Sequence, residues 1–186
     1  MQAECSGDEV IGGTSGEGFS RMDFGDAPDD ATDPNDYPTL RESNGARHAI
    51  DNRYYLGVGI DREDRAYATP NAAGDDVHGI DDEDGVVFRS SLGRANQVYI
   101  HVTASTAGFL DAWIDFNRDL DWNDPGEQIF TSVQLAQGVN RLSIIVPGSA
   151  LPGITFARFR FSSGGGLPPW GSAPDGEVED YRVVIH

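Results

Sequence analysis

The chain has 186 residues, 31 acids against 13 bases and a formal charge of −18, and every base is arginine. Phosphate backbones and anionic membrane surfaces are bound through basic side chains, so nucleic-acid binding and polybasic lipid docking are excluded. No window approaches the ~18 consecutive apolar residues of a membrane span, which excludes membrane insertion by helices.

Asp outnumbers Glu by 22 to 9, a skew toward caps, turns and metal loops and away from long helices. Residues 1–22 are rich in Gly, Ser and acids, with Val10, Ile11 and Phe19 as the few apolar anchors. They read as an N-terminal arm, either a linker or a donor strand that completes a neighbour's sheet. The start lacks the charged and apolar stretches of a signal peptide, so the chain is expected to be soluble or already processed. A lone cysteine, Cys5, cannot form an internal disulfide, although a bridge between subunits through the arm stays open.

Residues 23–186 read as one domain. Its first part, to about residue 85, holds DFGDAPDDATDPNDYP and GDDVHGIDDEDG and no long apolar period. So long a stretch without regular structure calls for something else to order it, and metal ions are the natural candidate.

From residue 86 the period becomes two, the spacing that puts alternate side chains on opposite faces of a strand. Strands are predicted over 86–90, 97–104, 109–115, 127–134, 139–146, 155–162 and 178–185. In the sixth, Ala157, Phe159 and Phe161 share a dry face, while Arg158 and Arg160 are expected to meet water or carboxylates. Trp113 alternates with Ala112 and Ile114 and is expected to cover the other layer. Seven short strands joined by turns give an all-β class, an antiparallel β-sandwich of jelly-roll type with long Ca²⁺-ordered loops.

The sharpest local signal is DFNRDLDWNDPGE, where Asp115, Asn117, Asp119 and Asp121 recur every second residue and Glu127 closes the segment. Calcium takes six to eight oxygen ligands, and a loop offering oxygens at positions 1, 3, 5 and 7 with a late carboxylate can wrap it. Two departures stand out: Leu120 occupies the position that favours Gly, and Glu127 lies one residue late. A solvated acidic hairpin is the alternative. In GDDVHGIDDEDG the candidate ligands are Asp76, Asp81, Asp82 and Asp84, unless the segment is a disordered acidic linker. Weaker candidates are Asp23 and Asp26 near the start and Asp175, Glu177, Glu179 and Asp180 near the end, where an Asx turn and a charged edge strand are the alternatives.

DFGDAPD, GARH, GIDDEDGV, AGFLDAWIDFNRDLDWNDPGEQIF, ARFRFSS and DGEVEDYRV occur in that order. Together they resemble the GEVED domain of bacterial secreted and surface proteins over about residues 23–185. The resemblance implies an extracellular β-sandwich that accompanies peptidases, adhesion repeats and sorting signals. It implies no settled biochemical activity.

The sequence has no GxSxG elbow, no HExxH pair and no phosphate loop, and the chain is expected not to be an enzyme. The expected function is a calcium-binding extracellular structural module, a surface, adhesion or filament subunit, partnered by itself or other surface proteins. The alternative is a carbohydrate-binding accessory module of a secreted hydrolase or peptidase, with Trp170 of LPPWGSAP as the ligand-binding aromatic and a glycan as partner. Acids spread over every face for solubility in high salt are a third possibility.

Overall fold

The computed structural model describes residues 21–33, 36–60, 65–74 and 83–186. Residues 1–20 with Cys5 lie outside these, as do Asp76, Asp81 and Asp82. Among the described residues there is no helix, and the ten strands fall into three sheets. Among the described residues no helix is long and apolar enough to cross a membrane.

Two sheets face each other. One holds β3 (Val86–Phe88), β4 (Gln97–Ala104) and β7 (Gly138–Ile145) in the order β3-β4-β7. The other holds β5 (Gly108–Ile114), β6 (Gln128–Leu135), β8 (Gly153–Ser162) and β10 (Glu177–Ile185) in the order β10-β8-β5-β6. All pairs within both sheets are antiparallel. Alternation decides the core: Val98, Ile100 and Val102 of β4 meet Leu110, Ala112 and Ile114 of β5 and Ala157, Phe159 and Phe161 of β8, all fully buried. Each such aliphatic or aromatic side chain stabilises by about 1.5–3 kcal/mol when removed from water.

A β-bulge shapes the β5–β6 pair. Leu110 pairs with Val133 but Ala112 pairs with Phe130, so two residues of β6 oppose one of β5. Ser132 takes a φ of 47° there. Its N–H donates to Asp111 Oδ1 at 2.8 Å, so the carboxylate satisfies a donor that the ladder leaves out.

The outer face of the four-stranded sheet is covered by a third layer that the sequence pattern does not announce. It contains β1 (Met22–Phe24), β2 (Arg47–Ala49) and β9 (Ser172–Ala173), ordered β1-β2-β9, with β2 and β9 parallel. Tyr37, Ala27 and Ala72 from this cap pack on Trp113, Trp122 and Phe156 as a second small core. Trp113 thus faces away from Ala112 and Ile114, as its alternation predicts, but it packs under the cap and not on the other sheet of the sandwich.

Arg158 and Arg160 do not meet water: both are fully buried beneath the cap. Arg158 donates Nε to Asp180 Oδ1 at 2.7 Å and Nη2 to Oδ2 at 2.6 Å. Its remaining N–H groups reach the carbonyls of Pro38 and Pro169 and the hydroxyl of Thr39, and the guanidinium lies 4.5 Å from the Trp122 ring centroid. Asp180 Oδ2 also accepts the backbone N–H of Asp26 and Ala27, both at 2.9 Å. One ion pair therefore fastens the start of the domain to its final strand.

Among the described residues Arg160 has no hydrogen-bonded carboxylate. It donates to the carbonyls of Pro168, Trp170 and Gly171 and, through Nε, to His48 Nε2 at 3.0 Å. Burial, then the neighbouring Arg158 charge, pushes its pKa down to about 9. His48 must be neutral to accept from Arg160, so its Nδ1–H donates to the Asp175 carbonyl at 2.7 Å.

Burial, followed by the Arg160 charge, holds the His48 pKa well below its ordinary 6.5. Below that pH the unfolded chain binds a proton that the folded chain refuses, so stability falls as the solution is acidified. The expected contribution is up to about 1.4 kcal/mol per pH unit. Urea midpoints measured from pH 7 to 5 should drop more steeply for the parent chain than for His48→Gln. Parallel pH profiles would contradict a buried neutral His48.

Candidate metal centre

The loop between β5 and β6 opens at Asp115 and closes at Glu127, both buried. Asp115 Oδ1 accepts the N–H of Arg118, and Oδ2 accepts that of Leu120 at 3.2 Å and the Tyr37 hydroxyl at 2.6 Å. These bonds curl the loop back over its first carboxylate. Arg118 and Leu120 consequently adopt φ of 60° and 75°, in the left-handed region where a non-Gly residue costs roughly 1–2 kcal/mol. Relief of that strain, less the extra chain entropy of glycine, leaves an expected gain of up to about 1 kcal/mol for Leu120→Gly. A urea midpoint no higher than the parent's, measured without metal, would show that the turn carries no strain.

Asp115, Asp119 and Glu127 each place a carboxylate oxygen within 4.8 Å of the others'. Glu127 Oε1 accepts the N–H of Phe116 at 2.9 Å and of Asn117 at 3.4 Å. Its Oε2 is buried and has no hydrogen-bond partner among the described residues. Burial is the main cause that pushes the Glu127 pKa up to about 7, with the Asp115 and Asp119 charges acting in the same direction. Three carboxylates this close repel, and a proton on Glu127 or a metal ion held by the three would relieve the repulsion. A cavity of about 290 Å³ bounded by Asn117, Asp124, Glu127 and Ala150 adjoins the cluster.

The other predicted ligands are distributed differently. Asn117 donates its amide to Asp119 at 2.9 Å and to Asp124, so it braces the loop. Asp121 has the right spacing, yet its Oδ1 accepts the Asn123 N–H at 2.7 Å, an Asx turn. Asp124, which the every-second-residue pattern passes over, lies against Asn117 beside the cluster.

The remaining acids act on backbone N–H groups and are not brought to the cluster. Asp23 accepts from Val178 at 2.7 Å, Asp26 from Gly74 at 2.6 Å, and Asp84 from Val58 at 3.0 Å. Asp175 accepts from Ser163 at 2.8 Å, Glu177 from Leu56, and Glu179 from Gly85 at 2.9 Å. Asp180 takes Arg158. In the Gly-Glu-Val-Glu-Asp run, Gly176 has a φ of 98°, and a Cβ there would stand 1.9 Å from the Phe161 carbonyl oxygen. The run is a stapling strand: glycine lets it approach β8, and three acids in sequence hold three different segments.

The GEVED domain family model matches residues 109–184. Over those residues the chain is similar to the GEVED domain. The match takes in the acidic loop, β8 and the stapling strand, whereas β3, β4 and most of the cap precede it. No curated protein matches the chain. Among the described residues, the acids of this GEVED-like run support the fold, and the acidic cluster that could hold a metal ion lies at the β5–β6 loop.

Proposed function

We propose that the chain is a calcium-binding extracellular structural module in which one ion joins Asp115, Asp119 and Glu127 and fixes the β5–β6 loop against the sandwich. The observation that carries this reading is Glu127 Oε2, buried without a partner beside two further carboxylates. Oxygen-only donors suit a hard cation, and the left-handed turn at Leu120 directs the loop around them. The module contributes rigidity to a surface or adhesion assembly and no catalytic step. Calorimetric titration with Ca²⁺ tests the reading: one site is expected, in the ~10⁻⁴–10⁻³ M range that extracellular modules use. Absence of heat and of a melting shift at millimolar Ca²⁺ overturns it.

A second reading, a carbohydrate-binding accessory module, is favoured by a cleft of about 590 Å³ in the cap, edged by Trp170, Asn44 and Asn123. Trp170 is 39% exposed, enough for a sugar ring to stack on it. Its support would be glycan binding that disappears in Trp170→Ala. A silent glycan panel removes it and leaves the metal reading untouched.

A further inference from the structure

We infer that the outer face of β3-β4-β7 is a self-association surface that docks on the acidic cap of a second copy of this chain. Every second residue of these strands points away from the core, and none of those positions holds an acid. Val87, Tyr99, Val139 and Ile145 are exposed there by 45%, 53%, 62% and 72%, and Arg89 and Arg141 stand exposed among them. Register places them together: Val87 pairs with His101, His101 with Arg141, and Thr103 with Val139. A basic, apolar face is unexpected on a chain of charge −18. Random placement would put acids on it.

The layer order supplies the partner. The cap lies on the far side of the four-stranded sheet, and it exposes Asp33 and Glu42 around the cleft beside Trp170, with Asp30 and Arg41 exposed next to them. One copy therefore presents a basic, apolar pole and an acidic pole on opposite sides. Acidic poles repel one another, so the attractive contact is head to tail, a heterologous arrangement that extends into rows unless rotation closes it. Strand geometry makes the face about 25 by 10–15 Å, a few hundred Å², below the roughly 800 Å² per partner of a stable complex. The contact is weak per copy and salt-sensitive, and rows form at high local concentration. This inference does not depend on the metal reading, since neither pole uses Glu127.

Sedimentation velocity of the whole chain tests it, with a concentration series at low and high salt. The weight-average mass should rise above the 20.1 kDa monomer at low salt and return to it at high salt. Arg89→Glu with Arg141→Glu, and separately Asp33→Arg with Glu42→Arg, should each stay monomeric at unchanged melting temperature. Mixed, the two double variants should associate again, because each retains the pole the other lost. A monomeric parent chain at every concentration, association that survives either double variant, or a mixture that stays monomeric overturns the proposal. Ile145→Asp gives a further check by abolishing association without altering the arginines.

Discussion

Asp180→Asn is expected to lower stability by about 3–5 kcal/mol, the cost of leaving a buried charge without its partner. The amide keeps the size of the carboxylate and an oxygen that can accept from Asp26 and Ala27, so the loss isolates the counter-charge of Arg158. Both side chains of the pair are fully buried and Arg158 satisfies its other N–H groups with fixed oxygens, so water cannot relieve the vacancy. Against a total of about 5–15 kcal/mol for a typical domain, the variant loses a large share of its margin. Its melting temperature should fall by roughly 10 °C or more. Arg158→Lys should fall comparably, because an ammonium cannot make the paired contacts. A change under about 1 kcal/mol in either variant would mean that the pair does not hold the cap.

The second large effect is conditional on calcium. At ~10 mM Ca²⁺ and a dissociation constant of ~10⁻⁴ M, binding to the folded state alone adds about 2.7 kcal/mol. Glu127→Gln separates metal binding from packing because its effect should change sign. In chelator the variant is expected to match or exceed the parent chain, since it removes a charge that burial and two neighbouring carboxylates disfavour. In calcium it should be the less stable of the two, with its calcium increment reduced below about 1 kcal/mol. Thermal melts of both proteins in both conditions give the four values needed. Equal calcium increments for parent and variant would remove Glu127 from the site.

The sandwich strands were legible because half-buried strands alternate: the seven predicted strands match β3 to β8 and β10 to within two residues at each end. β1, β2 and β9 were not, since two or three residues cannot display a period. The cap was hidden for a related reason. It is held chiefly by carboxylates that accept backbone N–H groups, and such contacts leave no apolar spacing in the sequence. That is why the pattern left Arg158 and Arg160 to meet water or carboxylates: Arg158 does find the Asp180 carboxylate, but the cap that keeps water from both could not be read. Asp115, Asp119 and Glu127 could be found from loop spacing, because their proximity is local. Asp23 and Asp180 accept from backbone N–H groups about 150 residues away, which spacing cannot report.

The Arg158–Asp180 bond also sets an order of events. Residues 26, 27, 38 and 39 leave the ribosome early, yet the groups that seat them lie on β8 and β10. Until β10 is made, the cap has nowhere to attach and two arginines lack the layer that covers them. A segment synthesised before the sandwich strands is then among the last to be placed. Closure of so long a loop is entropically slow, so refolding should show the sandwich core gaining protection before Tyr37 and Trp122 do. Loss of the last strand would release the beginning of the domain as well as its end.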